Sequence, residues 1–69
     1  MNISARNTLR GKVVGVKPGV VNSEVVIQLT GGEHIVSMIS KDSAERLGLH
    51  PGKEVYAVIK ASSVMVATD

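Results

Sequence analysis

From Leu9 to Ala67 the chain alternates apolar and polar side chains in short stretches, each closed by polar or glycine- and proline-rich residues. A repeat of two marks strands with one covered face, and Gly and Pro mark where they end. Residues 9–16, LRGKVVGV, predict a first strand, and Lys17-Pro18-Gly19 a turn. Pro fixes φ at one turn position and Gly admits positive φ at the next. Residues 20–29, VVNSEVVIQL, predict a second strand, and Thr30-Gly31-Gly32-Glu33 a hairpin connection to a third at residues 34–39, HIVSMI.

The period then changes. Residues 40–47, SKDSAERL, predict a short helix with Ser40 as N-cap and Asp42 near the positive end of its dipole. Gly48 suits the left-handed position after a helix, and Leu49 the apolar contact beyond it. Pro51-Gly52 turns the chain into a fourth strand at residues 54–60, EVYAVIK, and residues 63–67, SVMVA, predict a fifth. Five strands and one small helix define an all-β class and fit a small OB-like barrel. No internal repeat, linker or low-complexity tract divides residues 1–69, which read as one domain.

The two faces of these strands are not equally polar. Val21, Ser23, Val25, Ile27 and Leu29 share one face of the second strand, Ile35 and Ile39 one face of the third, and Val55, Ala57 and Ile59 one face of the fourth. These line the barrel. Val26, Val36, Met38, Tyr56 and Val58 are left pointing outward, a surplus that marks an interface, unless bulges shift the register and bury some of them. Size points the same way. A chain of 69 residues has a marginal core, and without cysteine it has no disulfide and no thiolate metal site. Small chains without such staples often oligomerise instead.

The net charge is only +2, from 8 basic and 6 acidic residues. That suits a small anion better than a long polyanion, which calls for a basic stripe. Single-stranded nucleic acid calls for stacking aromatics as well, and Tyr56 is the sole aromatic residue. No apolar run approaches the length of a membrane span and no signal peptide opens the chain, so a cytoplasmic location is expected. His34 and His50 stand in unrelated contexts with no nucleophile beside them, so neither catalysis nor a cation site is expected.

Two segments combine a cation with small hydroxyl residues and lack carboxylates: Ser4-Ala5-Arg6-Asn7 and Lys60-Ala61-Ser62-Ser63. Arg gives a planar fork, Lys a point charge and Ser a hydroxyl, while small residues let backbone amides approach a ligand. Ser40 and Ser43, at the start of the helix, form a third donor group. Each piece has a plain alternative: Ser40 a helix cap, Lys60 a solvated strand end, Arg6 a surface residue. Together they outline an oxyanion site.

The segments SARN, GG followed by IVSMIS, SAERLGL and VIKASSVM occur in an order and spacing that resemble the molbindin family of small molybdate-binding proteins. The likeness covers residues 3–67. The same module recurs as the transport-associated OB domain of molybdate transporters and molybdate-sensing regulators. The resemblance implies an OB-like fold in a homohexamer built as a trimer of dimers, with molybdate or tungstate held between subunits for storage or homeostasis. It implies oxyanion-binding roles for Ser4, Ala5, Arg6, Lys60 and Ala61, with Ser40 and Ser43 adding hydroxyls. The family more often has Thr where Ser40 stands, and Ser62 occupies a variable position. A second anion site on a symmetry axis is assigned to the backbone of Gly19 and Val20. No covalent cofactor, nucleic acid or membrane is implied. The alternative reading is an anion-sensing regulatory domain acting through a protein partner.

The donor chemistry separates some ligands. Phosphate near neutral pH keeps a proton and gains from an acceptor, whereas molybdate wants donors only. Neither cationic segment contains a carboxylate; Asp42, near Ser40 and Ser43, is the one acid whose direction matters.

Overall fold

The computed structural model describes residues 1–69. Its elements are β1 (Asn7–Pro18), β2 (Asn22–Leu29), β3 (His34–Ser40), α1 (Lys41–Arg46) and β4 (Glu54–Ile59), followed by one 3₁₀ turn, Ala61–Ser63. The strands form one antiparallel sheet in the order β3-β2-β1-β4.

The long strand β1 is shared. Its first half, Asn7 to Lys12, pairs with β4, and its second half, Gly11 to Pro18, pairs with β2. Only Gly11 and Lys12 have partners on both sides. The sheet coils around this point into a half-barrel, and Gly11 permits the close approach. A Cβ there would lie 2.6 Å from Cγ2 of Ile27 and 2.8 Å from the carbonyl oxygen of Gln28.

A bulge adds to the curvature. Val13 faces Ile27 and Gly15 faces Val26, so Val14 is an extra residue on β1. The extra residue reverses the in–out alternation. Val13 and Val16 therefore both turn inward, while Val14 points out. The core is Val13, Val25, Ile27 and Ala57, with Val16, Leu29, Ile35, Ile39, Leu49 and Val55 packed around it. These are the faces expected from the alternation, except that Val21 lies in the β1–β2 turn and is exposed.

The helix ends follow the local sequence. Ser40 Oγ accepts a bond from the Ser43 amide at 3.0 Å. Gly48, at φ +63°, donates to the Glu45 carbonyl, and Leu49 to the Ala44 carbonyl, which closes the Schellman pair of bonds. Leu49 then packs on the core. The Pro51-Gly52 turn is tied to β1 at the bulge: Gly52 donates to the Val13 carbonyl at 2.7 Å, and Val13 to that of Lys53 at 2.9 Å.

Two expectations are corrected. The first strand runs through Pro18 and the second begins at Asn22, so the turn is Gly19–Val21 and not residues 17–19. Proline is tolerated at a strand's last position. The fifth strand does not form. After the 3₁₀ turn the chain makes no further ladder, and Met65 and Val66 are 93% and 88% exposed. The alternation of residues 63–67 is strand-like, but a strand also needs an edge to pair with, and this segment leaves the sheet. The sheet has four strands and is not closed into a barrel.

Candidate functional site: a cationic donor cleft

The register of β1 on β4 explains why two segments far apart in sequence meet. Asn7 faces Ile59 at the end of the ladder. The Asn7 side-chain amide donates to the Ile59 carbonyl at 3.3 Å and pins the two strand ends together. Residues 4–6 enter β1 beside residues 60–62 leaving β4. Ser4, Ala5, Arg6, Lys60, Ala61 and Ser62 line one cleft of about 380 Å³. Asn7 had no assigned role in the sequence reading; its signal was its place at the end of the SARN segment.

The cleft is a donor environment. Its lining holds an arginine, a lysine and two hydroxyls, with no carboxylate. The ion pairs of the chain join Arg10 to Glu54 and Arg46 to Asp42, so Arg6 and Lys60 have no acidic partner. The 3₁₀ turn is closed by the Ser63 amide on the Lys60 carbonyl and the Val64 amide on that of Ala61. The amides of Ala61 and Ser62 stand at its open end, where first-turn N–H groups lack intrahelical acceptors. The arrangement can take an anion that accepts hydrogen bonds from several directions.

The third donor group lies elsewhere. Ser40 pairs with Asn22, near the Pro18 end of β1, while Arg6 and Lys60 flank its Asn7 end. Neither Ser40 nor Ser43 lines the cleft. The Ser40 hydroxyl donates to Ser43 Oγ at 2.8 Å, which also accepts from Arg46 Nη2 at 3.1 Å. Asp42 is turned along the helix to Arg46, 3.0 Å from Nε, and does not enter the cleft. At the β1–β2 turn the Gly19 amide is taken up by the Asn22 carbonyl at 2.8 Å, while Val20 is almost wholly exposed. No group of three or more His, Asp or Glu side chains is gathered to hold a cation, and no helix is long and apolar enough to cross a membrane.

The fold and the cleft together define a class: a small OB-like β-protein carrying a carboxylate-free cationic cleft beside its first and last strands. Comparison with known proteins makes this specific. The TOBE domain family matches residues 3–66, and the chain belongs to that family. It is 56% identical over 66 residues to molybdenum-pterin-binding protein 1 of Clostridium pasteurianum, covering 96% of this chain and 97% of the relative. The solved structure of MopII from the same organism superposes with a TM-score of 0.92 at 54% identity, covering 97% of this chain and all of that one. A cytoplasmic molybdate-binding protein, ModG, matches with a TM-score of 0.90 at 48% identity; this chain spans 46% of its length. The module also occurs within longer proteins: ModE of Azotobacter vinelandii is 48% identical over all 69 residues, which make up 26% of that protein.

Proposed function

We propose that this protein binds molybdate, or tungstate, reversibly, in the cytoplasm, as a storage and homeostasis protein that performs no chemistry on its ligand. The observation that carries the reading is the cleft where Ser4, Ala5 and Arg6 meet Lys60, Ala61 and Ser62 with two unpaired cations and no carboxylate. The names of the relatives, molybdenum-pterin-binding and molybdate-binding, support the choice of anion.

The full site is formed between copies. Ser40 and Ser43 lie at the far end of β1 from the cleft of their own chain. They contribute to an anion held by Arg6 and Lys60 only if another subunit brings them there. We assign the assembly as a homohexamer, a trimer of dimers, with the Gly19–Val20 turn as a weaker second anion site on its axis, where the Val20 amide is the donor because that of Gly19 is bonded to the Asn22 carbonyl. A binding site made only of preorganised donors gains affinity when assembly fixes them, and assembly gains stability from the ligand by mass action.

The second reading is an anion-sensing module that acts through a protein partner. It is favoured by the recurrence of this module inside the longer ModE. Calorimetric titration with molybdate, tungstate and sulfate in phosphate-free buffer, with mass read by light scattering, tests the first reading. It expects tight molybdate and tungstate binding on an oligomer, with sulfate silent. No heat from any of the three overturns it.

A further inference from the structure

A second polar notch opens where the two halves of β1 meet. Lys12 is exposed there and has strand partners on both sides, Gln28 of β2 and Glu54 of β4. Arg10 lies two residues before it on the same face of β1, so the rise of a strand sets the two cations roughly 7 Å apart along the chain. The ladder of β2 on β1 ends opposite Gly11, and Thr30 begins the turn that follows. Arg10, Lys12, Gln28, Thr30 and Glu54 thus surround a space of about 230 Å³, with Gly11 between the two cations. The notch shares no residue with the donor cleft.

Its chemistry complements that of the cleft. The Glu54 carboxylate does not pair with Lys12, its neighbour across the ladder, but lies 3.9 Å from Arg10. Arg10 has a second contact, its guanidinium standing over the Tyr56 ring at 5.7 Å from the centroid. Lys12 is left without an acidic partner, and no side-chain hydrogen bond within the chain uses Lys12, Gln28 or Thr30. The notch therefore offers two cations, an amide and a hydroxyl as donors, and beside them a carboxylate that only accepts. That carboxylate repels an oxyanion that has lost every proton. An oxyanion that keeps a proton can donate it to Glu54, in a charge-assisted bond, while the two cations hold its charge.

We infer that this notch is a binding site for inorganic phosphate, which keeps a proton at neutral pH, and that Glu54 is the group that selects it over sulfate and molybdate. Arg10 and Lys12 bracket the anion, Gln28 and Thr30 add neutral donors, and Glu54 accepts from the P–OH group. The side chains of Arg10 and Glu54 are 68% and 74% exposed, so water and salt weaken each contact and the Kd is on the order of 1 mM. The inference goes beyond molybdate binding and does not rest on it: the chain carries two anion sites of opposite proton demand, with no side chain in common.

The test is a nuclear magnetic resonance titration of the full chain labelled with nitrogen-15. Sodium phosphate and, in parallel, sodium sulfate are added at neutral pH and constant ionic strength, once with molybdate present and once without. The amides of Gly11 and Lys12 and the side-chain amide of Gln28 should shift and saturate with phosphate. Sulfate should bind there at least about tenfold more weakly, the size of a charge-assisted hydrogen bond. Glu54→Gln removes the repelling charge and should bring sulfate to within about threefold of phosphate; an unchanged preference would refute the role of Glu54. Lys12→Ala, at an exposed position, should abolish the phosphate shifts while the rest of the spectrum stays in place. Equal affinity for phosphate and sulfate in the parent chain, shifts confined to residues 4–6 and 60–62, or no shifts at all would each overturn the assignment. None of those results would bear on whether molybdate occupies the cleft.

Discussion

Arg6→Ala is the most direct challenge to the donor cleft. The cleft places Arg6 and Lys60 around one volume with no acidic group to neutralise either. A unit charge 4 Å from another is worth about 1 kcal/mol in water and about 4 kcal/mol in the environment typical near a protein surface. A dianion doubles both figures. The cleft is open, so the lower end applies, and losing one cation costs about 2 kcal/mol, or roughly 30-fold in Kd. Arg10→Ala is the matched control. It removes the same formal charge, but Arg10 sits outside the cleft, 3.9 Å from Glu54 and 5.7 Å from the centre of the Tyr56 ring. Molybdate titrations of the two variants by calorimetry, at low and at about 0.15 M salt, separate local contact from long-range field, which is screened beyond about 8 Å at the higher salt. The expected result is a large loss for Arg6→Ala that persists at the higher salt, and a small loss for Arg10→Ala that disappears there. An Arg6→Ala affinity within roughly threefold of the parent, about 0.7 kcal/mol, would refute the assignment, as would equal losses in the two variants.

Three further outcomes test the fold that positions the cleft. Gly11→Ala drives a methyl group against the Gln28 carbonyl and Ile27 Cγ2 where β1 is paired on both sides, and should lower stability by about 1–3 kcal/mol in urea unfolding. Val13→Ala, at the fully buried centre of the core, should cost about 2–3 kcal/mol from two lost methyl groups and the cavity they leave. Ser40→Ala removes the bond that caps α1 and should cost about 1 kcal/mol by the same assay. If Ser40 also reaches the anion from another subunit, molybdate affinity falls as well; a pure cap would leave it unchanged.

What the sequence makes legible is what depends on neighbours along the chain. The period of two located β3 and β4 to within a residue, and the period change with Ser40 and Gly48 located α1 and both its caps. The misread ends lie where a distant partner decides. Asn7 and Thr8 are polar and read as lead-in, yet Ile59 and Val58 of β4 pair with them and extend the strand. Pro18 reads as turn, yet Ser23 across from it holds it in the ladder. Residues 63–67 have the local pattern of a strand but pair with neither open edge of their own sheet. The cleft followed the same division. Cations and hydroxyls free of carboxylates marked both segments, but their meeting depends on the pairing of Asn7 with Ile59, which no local pattern reveals.

That pairing also explains why the cleft sits at the margin of the fold. Only six side chains are buried, all around the crossing of β1 with its two neighbours or beneath α1. For a chain this short, stability is of the order of 3–10 kcal/mol, too little to bury two unpaired cations in that core, where desolvation costs several kcal/mol each. Just beyond the last ladder pair, Arg6 and Lys60 keep their hydration, yet their backbones are fixed by the strands they adjoin. An anion entering the cleft would meet donors whose starting points are set and whose side chains are free to close on it. Full desolvation of the site requires a cover that the chain itself does not supply. If a second copy supplies that cover, as the proposal of a site shared between copies holds, ligand and assembly stabilise each other by mass action, and the mass of the assembly should rise or hold at higher dilution when molybdate is added.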